Sequence, residues 1–101
     1  MAVDINKICN EVISPSYIFS EEEFASRAAL VRESFGEDVN LCFSIKANPF
    51  LLGIMPEPIS KVEVCSPGEL DVCKSLNVPP EMIIFSGVNK SKEEIKIAFE
   101  Y

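Results

Sequence analysis

From Ser16 onward the chain alternates short apolar runs with helix-start signals, and this alternation constrains its fold more than any other feature. Tyr17-Ile18-Phe19 reads as the first strand. It ends at Ser20, and Glu23 three residues on completes a capping-box pattern, so a helix is expected to follow. Phe24, Ala28, Val31 and Phe35 recur at helical spacing on one stripe, while Glu21, Glu22, Arg27 and Arg32 fall elsewhere and Gly36 marks the stop. Residues 41–46 form a strand pattern with two faces. Leu41, Phe43 and Ile45 pack under helices on one face, and Cys42, Ser44 and Lys46 share the other. An apolar crossover at residues 50–55, between Pro49 and Pro56, leads to a strand at 62–65 in which Glu63 and Cys65 occupy that second face. Ser66-Pro67-Gly68-Glu69 then supplies a cap, a proline at the first helical position and an acid at the third, opening a helix to about Leu76. Residues 82–85 are the last strand pattern, and Ser91 with Glu94 opens a final helix carrying Ile95, Ala98 and Phe99. Strands alternating with helices at this spacing predict an α/β fold of parallel βαβ units with right-handed crossovers.

Length sets a limit on that fold. At 101 residues the chain holds one domain and falls well short of a complete barrel of eight strand–helix units, which takes about 250 residues. The formal charge is −7 and no basic cluster exceeds two residues, so nucleic acid is not an expected partner. The opening Met1-Ala2-Val3-Asp4 lacks a basic segment followed by an apolar one, and the apolar stretch at 50–55 is too short to cross a bilayer. The expectation is a cytoplasmic protein with no membrane association. Cys9, Cys42, Cys65 and Cys73 form no C-x-x-C pair and the chain has no histidine, so no metal site is expected and the thiols are read as reduced and mostly buried.

In parallel α/β sheets reactive groups gather at the carboxyl ends of the strands, where loops can surround a ligand without disturbing the core. Lys46 closes one strand here, Glu63 with Cys65 and Ser66 the next, and Ser86-Gly87-Val88-Asn89 the third. A partly buried lysine at such an end can give up its proton, and a neutral amine forms a Schiff base with an aldehyde cofactor. A carboxylate on the adjacent strand would hold and orient it. Position alone also fits plainer readings: Lys46 as a solvated side chain, Glu63 as an exposed strand residue, the cysteines as core filler and Ser66 as nothing more than a helix cap.

Four consecutive blocks carry a more specific signal. They are Phe43-Ser44-Ile45-Lys46-Ala47-Asn48-Pro49, then Val62-Glu63-Val64-Cys65-Ser66-Pro67-Gly68-Glu69-Leu70, then Val78-Pro79-Pro80-Glu81-Met82-Ile83-Ile84-Phe85-Ser86-Gly87, and Asn89-Lys90-Ser91. In this order they resemble the front of the fold-type III pyridoxal-phosphate-dependent decarboxylases, the diaminopimelate decarboxylase-like branch in particular, over residues 14–101. The resemblance implies a (β/α)8 barrel of the alanine racemase N-terminal type, of which this chain holds about three parallel barrel strands, and a separate β-domain. It implies pyridoxal 5'-phosphate as cofactor, carried by Lys46 as an internal aldimine, with Glu63 beside it where the family usually has aspartate. It further implies decarboxylation of an amino acid by a homo-oligomer, a dimer, with meso-diaminopimelate in lysine biosynthesis favoured as substrate and ornithine, lysine and arginine left open. Glu69 matches the acid of the G-E-L block and is read as a helix cap. Residues 1–20 are expected to be an N-terminal segment with the entry strand at Tyr17-Ile18-Phe19, and 21–101 the first βα units of the barrel. The rest of the family's site lies further along than Tyr101, so the chain is expected to be an N-terminal fragment, inactive alone. The stretch between Lys46 and Glu63 departs from the family, being short and carrying Pro56 and Pro58, which disfavours an intact first barrel helix. A racemase or cofactor-carrier of the same barrel type is the alternative enzyme reading, disfavoured by Pro49-Phe50 and the Ser66 block. A non-catalytic interaction fragment, with Lys46 only pairing Glu63, is the alternative from another class.

Overall fold

Asp4 caps the first helix, α1 (Ile5–Glu11), by accepting a hydrogen bond from the Lys7 amide at 3.1 Å. The computed structural model describes residues 3–101, so Met1 and Ala2 of the 1–20 segment lie outside the described residues. No residue of α1 is buried, and periodicity did not foretell this helix because it has no packed stripe.

The expected strand at Tyr17-Ile18-Phe19 does not form. A strand needs a hydrogen-bonded neighbour. Among the described residues the single sheet contains three strands, all later in the chain, and Tyr17 stands fully exposed. Phe19 has a different use. It precedes the cap of α2 (Glu21–Phe35), where Ser20 Oγ accepts from the Glu23 amide at 3.2 Å, and its ring meets Phe24 edge-on at 5.6 Å. This is a hydrophobic staple, which sets the angle at which the chain enters the helix. Phe24 in turn meets Phe43 edge-on at 5.6 Å, docking α2 on the first strand. Ala28 is the buried centre of the expected stripe, but Phe35 is exposed. A helix of this length runs about 22 Å, whereas the four-residue strand beneath it runs about 13 Å, so the far end of α2 overhangs the sheet.

The sheet comprises β1 (Leu41–Ser44), β2 (Ile59–Val64) and β3 (Ile83–Phe85), in the order β1-β2-β3 and all parallel. The α/β class with three parallel strands is therefore as expected. Register pairs Phe43 with Val62 and Val62 with Ile83 on one row, and Ser44 with Glu63 and Glu63 with Ile84 on the next. β1 is shorter than expected: Ile45–Ala47 is a 3₁₀ turn closed by the Asn48 amide on the Ile45 carbonyl at 3.0 Å. Pro49 requires extended backbone at Asn48, which ends the strand's line and turns the chain into a second 3₁₀ segment, Pro49–Ile54. That segment stands where a full helix would, in keeping with the proline content.

The cap of α3 (Pro67–Ser75) is Ser66, whose Oγ accepts from the Glu69 amide at 3.2 Å, while Glu69 Oε2 accepts from the Cys65 amide at 2.8 Å. Glu69 is thus a capping residue, its bond reaching one position ahead of the cap. A 3₁₀ turn, Pro80–Met82, starts β3 one residue later than expected. α4 (Lys92–Phe99) opens with both bonds of a capping box between Ser91 and Glu94. Tyr101 then ties its end to the loop after α3 by donating to the Val78 carbonyl at 2.6 Å.

Ile45, Leu52, Val62, Val64, Leu70 and Cys73 form the buried cluster on one side of the sheet, flanked by Phe43, Ile83 and Phe85. Among the described residues no helix covers the other side, where Cys42, Ser44 and Ile84 are exposed. The radius of gyration, 16.4 Å, exceeds the about 13 Å of a compact chain this long, as expected for an open sheet with an unpacked N-terminal segment. All four cysteines are free, but only Cys73 is buried; Cys9 and Cys42 are exposed and Cys65 lies between. The expectation of mostly buried thiols fails because Cys9 sits on the unpacked α1 and Cys42 on the uncovered face of the sheet. Among the described residues no helix is long and apolar enough to cross a membrane, and no cluster of three or more histidine, cysteine or acidic residues could hold a metal ion.

Candidate active site

The period of two in a strand sends Ser44, Glu63 and Ser86 to the uncovered face, and the parallel register brings them side by side at its carboxyl end. Ser86 follows β3 directly, and its amide extends the ladder by donating to the Val64 carbonyl at 2.8 Å. Its hydroxyl donates to Glu63 Oε1 in a close hydrogen bond. Ser44, the register partner of Glu63 on β1, also favours the charged form of that carboxylate through its hydroxyl. The Ser86 bond foremost, then the Ser44 hydroxyl and, more weakly, the charge of Lys46, hold the Glu63 carboxyl below the ordinary glutamate range against an opposing desolvation. Glu63 is therefore an ionised, oriented acceptor at neutral pH.

Lys46 lies on the 3₁₀ turn immediately past β1, exposed, and makes no hydrogen bond or ion pair within 4 Å among the described residues. It reaches Glu63 through the field between them rather than through contact. The partial burial that would favour a neutral amine is not supplied by these residues. Asn48 follows on the same turn, and its Oδ1 is buried without a hydrogen-bond partner. Cys42, one strand row away, is exposed as a residue, and its thiol is pushed up by partial loss of surrounding water and then by the Glu63 charge.

The loop after β3 is built to hold Ser86 still. Lys90 Nζ donates to the Gly87 carbonyl at 2.8 Å and, more closely, to the Ser86 carbonyl, while standing 4.7 Å from the centre of the Phe85 ring. Gly87 has φ +108°, and a Cβ there would lie 3.3 Å from the Cys65 carbonyl oxygen and 3.1 Å from Lys90 Nζ, so the turn depends on glycine. Ser86 Oγ also comes within 3.5 Å of Cys65 Sγ.

The structure thus brings Lys46 and Glu63 to one end of the sheet and leaves Glu69 at its cap. The reading of the residues placed Ser44 on the correct face and Ser86 at a strand end without giving either a partner. The signal for Ser44 was its alternation with Phe43 and Ile45; nothing local pointed from Ser86 to Glu63. Chemically, the end of the sheet offers a primary amine, an ionised carboxylate, two hydroxyls and an unpartnered amide oxygen. This set fits the aldehyde end of pyridoxal phosphate in offering an accessible primary amine, the group that forms a Schiff base with it.

Parallel strands with polar side chains collected at their carboxyl ends are the arrangement of an α/β barrel domain. The chain belongs to the family described as pyridoxal-dependent decarboxylase, pyridoxal binding domain, whose profile matches residues 21–101. Pyridoxal is the cofactor of that domain family. The chain is similar to the diaminopimelate decarboxylase of Aquifex aeolicus, 29% identical over 100 residues that cover 97% of this chain and 24% of the relative. It is similar also to those of Mycobacterium tuberculosis, at 31% over 100 residues (95% and 22%), and Mycobacterium leprae, at 32% over 97 residues (93% and 20%). The chain thus spans between a fifth and a quarter of the length of these curated relatives.

Proposed function

We propose that this chain is the N-terminal part of a pyridoxal-phosphate-dependent amino-acid decarboxylase acting on meso-diaminopimelate, with Lys46 as the residue that holds the cofactor and Glu63 as the anion beside it. The observation that carries the reading is that Lys46 and the hydrogen-bonded Glu63 carboxylate lie at the same, carboxyl end of parallel strands, in a chain of this family. The substrate rests on the printed names of the relatives alone. When bound, the cofactor supplies an electron sink for the pair left as carbon dioxide departs. The chain's own residues supply the amine at Lys46 Nζ and, at the same end of the sheet, the ionised Glu63 carboxylate. Residues 21–101 act as the first βα units of the barrel. By itself the chain is expected to release no carbon dioxide from a diamino acid. Its exposed Phe35, Phe50 and Phe99 and the free edges of β1 and β3 favour pairing with further strands or with a second copy.

The test is incubation with pyridoxal phosphate, reduction with borohydride and peptide mapping by mass spectrometry, with Lys46→Ala in parallel. Label concentrated on Lys46 and lost from its peptide in the variant supports the reading. Label spread over the seven lysines in proportion to exposure refutes Lys46 as the cofactor residue.

A further inference from the structure

Ser86 lies 23 positions from Glu63 in the sequence, yet its hydroxyl donates directly to the Glu63 carboxylate. Everything around it limits its freedom. Its amide is bonded to β2, its carbonyl to Lys90, and the next residue is a glycine in a conformation and a space that other residues do not fit. Lys90 is itself fixed, spanning two successive carbonyls and resting over Phe85. A hydroxyl on so restrained a backbone has few positions, and the one it takes directs its proton at Glu63 Oε1. Ser44 approaches the same carboxylate from β1.

We propose that Ser86, held by the Lys90 clamp, is a positioning residue that fixes the Glu63 carboxylate at the end of the sheet that carries Lys46. It acts through Glu63 and needs no contact with the cofactor. The inference rests on the proposed function for what Glu63 serves, and on the hydrogen-bond geometry alone for what holds Glu63. The titratable groups facing the carboxylate are Lys46 from the turn after β1 and Cys42 from β1, with Cys65 on the far side of the Ser86 hydroxyl. A Glu63 carboxyl that ionises below the ordinary glutamate range is the physical trace of this arrangement, since a hydroxyl donating to a carboxylate favours its charged form.

The experiment is a carbon-13 titration of the Glu63 carboxyl in the 101-residue chain labelled at glutamate, assigned with Glu63→Gln, for the unaltered chain and for Ser86→Ala, Ser86→Thr and Lys90→Met. Circular dichroism monitors the fold. The expected result is a midpoint below the ordinary glutamate range in the unaltered chain, shifted upward in Ser86→Ala, retained in Ser86→Thr and shifted upward to a smaller extent in Lys90→Met. A midpoint unmoved in folded Ser86→Ala overturns the proposal. So does a midpoint at or above the ordinary range in the unaltered chain, a result that requires no variant to fold. Reduction with borohydride after pyridoxal phosphate, on the same samples, gives the share of label on Lys46, which is expected to fall in Ser86→Ala and persist in Ser86→Thr. If the titration behaves as expected while label is scattered in every sample, the cofactor reading fails and the hold of Ser86 on Glu63 stands.

Discussion

Replacing Ile45 with alanine tests whether the turn that carries Lys46 is anchored by the core. Ile45 is wholly buried among Leu52, Val62, Val64, Leu70 and Cys73, directly before the lysine. Removing the three outer carbons of its side chain, at about 0.8 kcal/mol each, loses roughly 2.4 kcal/mol of transfer free energy. The cavity left behind adds to this, because surrounding side chains relax only in part, and brings the expected loss to about 3–4 kcal/mol. Against the about 5–15 kcal/mol that holds a domain folded, this is a large fraction, and the fall in Tm is about 12 °C or more. Urea denaturation followed by circular dichroism measures it, with Ile45→Val, expected to cost about 1 kcal/mol, as the graded step. Ile13→Ala, at a fully exposed position, is the control and is expected to stay within about 0.5 kcal/mol of the unaltered chain. A loss below about 1 kcal/mol for Ile45→Ala would show that the side chain is not packed as described and that the Lys46 turn has no anchor in the core.

Gly87→Ala is expected to destabilise the chain by about 1–3 kcal/mol in the same assay, through its left-handed backbone and the approach to Cys65; an unchanged midpoint would exclude that conformation. Alkylation with iodoacetamide followed by peptide mapping should modify the exposed Cys9 readily and Cys73 least, since Cys73 is buried and its thiol is pushed up first by that burial and then by Glu69. Equal rates at the two thiols would contradict the packing of α3. Because Glu63 is lowered on folding, its contribution to stability is fully present above the unfolded glutamate value and is lost as pH falls through the lower folded one. Denaturation midpoints at acid pH are therefore expected to fall less steeply in Glu63→Gln than in the unaltered chain, and parallel profiles would show that the hydrogen bonds to Glu63 are absent.

The helix starts were legible residue by residue, since Ser20, Ser66 and Ser91 each accept a bond from an amide three positions away, and such bonds depend on little beyond the local chain. So was the two-faced character of β1, because alternation follows from strand geometry itself. Tyr17-Ile18-Phe19 shows where that kind of inference ends: its composition suits a strand, but a strand exists only beside a partner, and the structure uses Phe19 to staple α2 instead. The exposure of Cys42 likewise depended on which face the helices cover, which no window of sequence contains. The same holds at the site. Lys46 and Glu63 stood out as strand-end residues, and the four-block resemblance gave them roles, whereas the Ser86 hydroxyl on Glu63 joins residues of different strands. Composition and local spacing determined the elements, their caps and the face on which the polar residues lie. The register of three parallel strands decided which of those residues meet, because hydrogen bonding between strands, and not distance along the chain, sets who stands beside whom.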